Sequence, residues 1–375
     1  MISTWRRSTG DLISWGGEPT LLIRWRAAFY YAPLGNGKLR CGDLTAGCSE
    51  RGTQMAEGEA RSKLRAGDQV RVRGTEEILA TLDKQGRLAG LPFMPEMLRF
   101  AGQEMRVYKR ADKTCDTVTP STDHRKLERT VHLAGARCDG SAHGGCQAAC
   151  LLFFREEWLE SSASPAEGEG ATVEALEADA VEFADSDDAE QYRCQATELL
   201  NASAPMSAYS PRQYVDDVRY GNEKLPVVLR GLLIVFFNKF QRLSRRWPAW
   251  LRIRDGETYP FLRGRGASAA QPDPLRLKPG DLVEVRSKEE ILRTLSPANK
   301  NRGMLFDVEM LPYCGQRARV SHRVERIIDE KTGRMLRLRD CVVLEDVFCR
   351  SLYHRFCPRA IYPYWREAWL RRVEG

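Results

Sequence analysis

The chain predicts an α+β fold of two tandem small SH3-like β-barrel modules, each followed by a Cys/His corner and an aromatic helix. Three observations carry this reading. The stretch Leu64-Arg-Ala-Gly-Asp68-Gln-Val-Arg-Val-Arg73 returns 213 residues later as Leu277-Lys-Pro-Gly-Asp281-Leu-Val-Glu-Val-Arg286. Glu76-Glu-Ile-Leu-Ala-Thr-Leu82 returns at the same offset of 213 as Glu289-Glu-Ile-Leu-Arg-Thr-Leu295. The spacing Cys138-x4-His143-x2-Cys146 returns at an offset of 211 as Cys349-x4-His354-x2-Cys357. A two-residue length change in one connecting loop accounts for the slip between 213 and 211. The period is far beyond the roughly 20–50 residues of solenoid repeats, so the sequence reads as duplicated domains.

Each element of the module has a local reason. Gly67-Asp68 and Gly280-Asp281 are turns, and the valines after them alternate with polar residues as in a half-buried strand. Glu76–Leu82 and Glu289–Leu295 are short helices with acids in the first turn, where the helix dipole favours them. Pro95 opens a helical turn that Gly102 ends. Gln103–Lys109 and Val131–Leu133 are strands. Leu151–Leu159, apolar and aromatic, is expected to be a helix packed through Trp158, as is its counterpart at Trp369. In the second copy, Arg323–Leu338 reads as a hairpin turning at Lys331-Thr-Gly333.

The expected organisation is an N-terminal helix/loop extension over 1–63, module 1 over 64–159, an acidic flexible linker over 160–210, a helical connector over 211–275, and module 2 over 276–375. The linker is marked by composition, since residues 159–209 carry 12 acids against 1 base. The extension holds the aromatic, basic stretch Leu21–Pro33 and the loop cysteines Cys41 and Cys48. In the connector, Pro226–Arg246 reads as a helix with a wide apolar face and a basic end, for which core packing is preferred over attachment to a membrane surface.

At 375 residues and 42% hydrophobic content, the chain is long enough for two or three cores. No run reaches the ~18–20 apolar residues of a membrane span. The N-terminus lacks the basic-then-apolar layout of a secretory signal. A cytoplasmic location is therefore expected, and in a reducing compartment eleven cysteines point to metal or redox chemistry rather than disulfides. Residues 210–375 carry 33 bases against 20 acids, which admits nucleic acid as an alternative partner. A solubilising surface balanced by the acidic linker is the plainer explanation.

The candidate metal ligands are Cys138, His143, Cys146 and Cys150 in the first corner and Cys341, Cys349, His354 and Cys357 in the second. A helix from His143 to Cys150 would put three of the first set on one face, with Cys138 folded over them and Gly140 allowing the wrap. Three thiolates and one imidazole suit tetrahedral zinc; buried cysteines packed together without a metal are the first alternative, and an iron–sulfur cluster the second. Position 361 holds Ile where the first copy has Cys150, so Cys341 is the expected substitute. The chain has no Gly-rich phosphate loop, no His-Glu-x-x-His and no Gly-x-Ser-x-Gly. His124 and His132 are the nearest candidate general bases, although core histidines fit them better.

These residues resemble a recurrent family of bacterial proteins. The likeness rests on Glu-Ile-Leu-x-Thr-Leu, Gly90-Leu-Pro-Phe-Met-Pro-Glu-Met-Leu98, Arg137-Cys-Asp-Gly-x-Ala-His143-x-Gly-Cys146, and Phe356-Cys-Pro-Arg-Ala-Ile-Tyr-Pro-Tyr-Trp-Arg-Glu-x-Trp-Leu370. It implies the module and supplies no activity. The sequence therefore leads to a metal-stabilised binding or scaffold protein with a protein or peptide partner. A metalloenzyme or redox accessory protein of a bacterial biosynthetic pathway is the alternative.

Overall fold

The computed structural model describes residues 63–119, 124–160, 168–183, 190–207, 209–266 and 273–373, all within one unit, Glu59–Gly375. Leu21–Pro33, Cys41, Cys48 and nearly all of the N-terminal extension lie outside the described residues. The rest is a mixed α/β structure of several small antiparallel sheets.

In the strand Gln69–Arg71, Val70 is buried while its neighbours are exposed, as the alternation requires. This strand pairs with Glu104–Arg110, which pairs with Thr130–Arg137, which pairs with Leu151–Arg155. The last of these corrects the expected aromatic helix. All five residues of Leu151–Arg155 are buried, so the strand has no polar face to betray its period. A single 3-10 turn, Glu156–Trp158, follows it. The second sheet runs Trp365–Arg366, Cys341–Leu344, Arg317–Arg323, Leu282–Val285, Leu370–Arg372. There too, Trp369 lies on a 3-10 turn, Glu367–Trp369.

Neither sheet closes into a barrel among the described residues, which corrects the expected closed module. The chain from Trp365 to Arg372 reaches both edges of the second sheet, bridging them through its 3-10 turn. Among the described residues these two edge strands pair only with their inner neighbours, Leu282–Val285 and Cys341–Leu344. In the first sheet the corresponding contact is a lone bridge, Val72 to Leu159.

The hydrogen bonds recur at the offsets of the sequence. Gln69 pairs with Arg106 as Leu282 pairs with Arg319, and both central strands carry a bulge before the next pairing. The indole of Trp158 donates to Thr81 Oγ1 at 3.2 Å and that of Trp369 to Thr294 Oγ1 at 3.0 Å. Arg110 binds Glu156 at 2.5 Å and donates to the Leu64 carbonyl at 2.9 Å. Arg323 binds Glu367 at 2.6 Å and donates to the Leu277 carbonyl at 2.8 Å.

The stretch expected to be a flexible linker carries ordered elements wherever it is described. A helix, Val173–Ala180, is capped by Thr172, whose hydroxyl accepts from Ala175 N–H at 3.2 Å. Leu176, Ala180 and Leu199 are buried in the first core. The acids that suggested solvation have a docking partner: Arg87 binds Asp179 at 2.6 Å and Glu198 at 3.0 Å. Composition records the acids but not the cation that receives them. The connector contains the helices Arg212–Arg219 and Leu225–Ser244, and Gly231 of the long helix lies directly under the Phe356 ring.

The two halves hold each other reciprocally. The hairpin Arg326–Ile328/Met335–Arg337 of the second half meets the cysteine loop of the first, where Ile328 N–H donates to Cys146 Sγ at 3.4 Å. The hairpin Lys113–Cys115/His124–Lys126 of the first half meets the cysteine loop of the second, where Cys115 N–H donates to Cys357 Sγ at 3.1 Å. This is the pattern of an isologous, two-fold contact made within one chain.

His132 is buried on the central strand Thr130–Arg137, with Nδ1 donating to the Leu152 carbonyl at 2.8 Å. Burial pulls its pKa down to about 3, against the effect of that bond. The folded value lies below the unfolded one, so this contribution to stability is intact above about pH 6.5 and is lost as pH falls from there toward 3, at about 1.4 kcal/mol per unit. Thermal melts between pH 7 and 4.5 should show this loss, and His132→Gln should flatten the slope by one proton.

Candidate metal centre

The first cysteine corner is a tight loop rather than a helix. Residues 141–145 form turns, and the N–H groups of His143 and Gly145 both donate to the Gly140 carbonyl, at 3.2 and 2.9 Å. The expected helix fails here because Gly140, Gly144 and Gly145 all take positive φ. A Cβ on Gly140 would lie 2.1 Å from the Cys146 carbonyl oxygen, so no other residue fits without moving the backbone. In the second corner Ser351 takes the same role, with φ of 57°, and accepts from Phe356 N–H at 2.7 Å. Gly140→Ala should destabilise the protein by about 2 kcal/mol or more in denaturant titration, combining strain with displacement of the loop.

The first loop brings Cys138 and His143 to a third residue, Glu96, carried by the 3-10 turn Pro95–Phe100. The Cys138 thiol donates to Glu96 Oε1 at 3.2 Å and stands 3.4 Å from His143 Nε2; His143 Nδ1 is 3.7 Å from Glu96 Oε1. Glu96 and His143 are buried. Glu96 Oε2 and His143 Nδ1 have no hydrogen-bond partner. Burial and the adjacent carboxylate hold the Cys138 thiol far above its ordinary range. Burial depresses the His143 pKa, outweighing the pull of Glu96. A half-buried cysteine beside a buried carboxylate and imidazole, each with an unmatched polar atom, is a donor set within reach of one metal ion.

The second loop assembles Glu309, Cys349 and His354 in the corresponding places. Its polar groups are already matched. Glu309 accepts from Tyr353 N–H at 2.5 Å, and His354 is bound to Asp307 at 3.3 Å and lies 3.7 Å from Cys349 Sγ. Burial opposes the imidazolium, but Asp307 and Cys349 outweigh it and hold the His354 pKa up to about 11. The first corner has Met94 where the second has Asp307.

The other predicted ligands fall outside these two donor sets. Cys146 and Cys357 accept the N–H bonds that join the halves. Cys150 lines the same cavity of about 270 Å³ as Cys138, His143 and Cys146, and its carbonyl accepts from Cys138 N–H. Burial pushes its thiol up to about 12. Cys341 is buried in its strand, with Sγ donating to the Arg339 carbonyl at 3.2 Å. His124 and His132 are buried and stand outside both donor sets.

A second cavity, of about 440 Å³, is lined by Cys349, His354, Cys357 and Cys115. Burial opposes ionisation of Cys357, but hydrogen bonds from Cys115 and from Arg359 N–H outweigh it and lower its pKa below the ordinary thiol range. Arg359, buried and bound to Glu330 at 2.9 Å, lines both cavities.

Glu96 and Glu309 were not among the expected ligands. Their signal was in the sequence: Glu-Met-Leu recurs at 96–98 and 309–311, at the offset of the strands. Comparison with protein-family models, curated proteins and solved structures finds no match for the chain.

Proposed function

We propose that this chain is a zinc-binding protein of two SH3-like modules, in which the first corner holds the ion and the second is held by a proton. The observation that carries this is the grouping of Glu96, Cys138 and His143, one donor atom from each within 4.8 Å of the others, with two orphaned buried polar atoms. Donors around tetrahedral zinc, at about 2.0–2.3 Å from the ion, stand about 3.3–3.8 Å apart. One thiolate, one imidazole and one carboxylate suit zinc better than an iron–sulfur cluster, which draws on more thiolates. The recurring registers and the 3-10 turn that spans the second sheet support common SH3-like connectivity for the two halves.

In this reading the ion pins the first cysteine loop beneath the turn that carries Glu96, and the protein serves as a binding or scaffold module for a protein or peptide partner. A metalloenzyme is the second reading, favoured by one observation: the three donors line a cavity of about 270 Å³. Three protein ligands with a fourth position for water are the pattern of catalytic zinc, where the ion acidifies that water.

Cobalt(II) substitution tests both. One equivalent should give a thiolate-to-cobalt charge-transfer band that Cys138→Ser abolishes. If added azide leaves the visible spectrum unchanged, the site is closed and the scaffold reading stands. A shift with azide marks an exchangeable position and supports the enzyme reading. No thiolate band at all would overturn the assignment.

A further inference from the structure

The long helix Leu225–Ser244 buries only part of its apolar surface. Leu225, Leu229, Leu233, Phe236, Phe240 and Leu243 are exposed, with Leu233 at 70% and Phe236 at 74%. At 100° per residue these six fall within an arc of about 80°, forming one stripe about 30 Å long. Beyond the helix, Trp247, Leu251 and Ile253 are also exposed, and Trp250 is 82% exposed. The opposite side is the one that packs, through Val228 and Gly231 against Phe356. Soluble proteins seldom leave so large an apolar strip uncovered without a use for it.

Charge identifies what covers it. From Lys224 to Arg254 the sequence holds eight lysines and arginines and no aspartate or glutamate. Arg242, Arg245 and Arg252 donate to backbone carbonyls, and Lys239 and Arg254 lie over aromatic rings. These contacts position the cations without neutralising them. An apolar stripe with leucine, phenylalanine and tryptophan, flanked by uncompensated cations, is the pattern of a helix lying in a lipid interface. The chain's own stretch Leu21–Tyr31 is a poorer occupant, because it adds Arg24 and Arg26 to a surface already positive. No described helix is long and apolar enough to cross a membrane, so the contact is with the surface.

We propose that the face Leu225–Ile253 docks this protein onto an anionic lipid bilayer, with the helix lying in the plane of the headgroups. The test is co-sedimentation of the full chain with vesicles of phosphatidylcholine alone and of phosphatidylcholine with phosphatidylserine. The protein should bind the mixed vesicles at least about tenfold more tightly, because each cation near an anionic surface contributes several-fold. The double variant Leu233→Gln/Phe236→Gln, altering exposed side chains only, should lower that binding about tenfold or more while its thermal melt stays unchanged. Equal binding to both vesicle types, no binding, or an unaffected double variant would overturn the proposal. So would a wild-type dimer in sedimentation velocity that the variant dissolves, which would assign the face to a second copy of the chain.

Discussion

Glu96→Gln is expected to weaken zinc binding by about two orders of magnitude. Structural zinc sites bind with about 10–16 kcal/mol over four ligands, so one ligand carries about 3 kcal/mol, or about a hundredfold. Glu96 also stands next to Cys138, and the substitution has two opposed electrostatic effects. It removes a charge that opposes ionisation of the thiol, and it removes a donor to the ion. Competition with a chromophoric chelator separates them, because the first effect changes the pH dependence and the second the affinity. For wild type, the raised Cys138 pKa means the ion must displace a proton. Affinity should therefore fall about tenfold per unit as pH drops, for each proton displaced. In Glu96→Gln the affinity should be lower throughout. Glu309→Gln should leave zinc affinity unchanged, since His354 and Asp307 satisfy the second corner without an ion.

Arg110→Met is expected to destabilise the fold by about 3–5 kcal/mol, a large part of the roughly 5–15 kcal/mol that holds a typical domain. Arg110 and Glu156 are both buried, 2.5 Å apart, and the same guanidinium ties the Leu64 carbonyl and Asp112 to the end of the first sheet. Removing it leaves the Glu156 carboxylate in the interior without its main cation. Arg323→Met removes the corresponding group from Glu367, but Arg323 is about a third exposed, so solvent and screening should make that loss smaller. The double variant Arg110→Met/Glu156→Met should recover part of the loss, because an apolar pair of similar volume carries no stranded charge. Urea titrations of the four proteins check the ranking.

Much of the module was legible because it is short-range. Val70 and Val72 alternate with polar residues, and Glu76–Leu82 closely matches the observed helix Thr75–Ala80. The hairpin around Lys331-Thr-Gly333 is present, with strands Arg326–Ile328 and Met335–Arg337. What failed was long-range. Leu151–Arg155 is a strand because neighbours cover both its faces, and a five-residue apolar run has no period of its own. Residues 168–183 dock through Leu176 and Ala180 in the first core and through Asp179, which binds Arg87, 92 residues away. Cys146 and Cys357 share the spacing of ligands, yet their thiols are spent on the opposite half of the chain, a contact that spacing within one loop does not encode. Glu96 was missed for the converse reason. Its repetition was visible, but its approach to Cys138, 42 residues along, depends on how the turn folds over the loop. The apolar face of the long helix was expected to pack, and only its Val228 and Gly231 side does so.

The account turns on the inequality of two similar corners, and metal content measures that directly. Protein purified without chelator should carry one zinc per chain by elemental analysis. Cys138→Ser should carry almost none, and Cys349→Ser should retain the wild-type amount. Two zinc ions per chain, or loss of zinc in Cys349→Ser but not in Cys138→Ser, would contradict it.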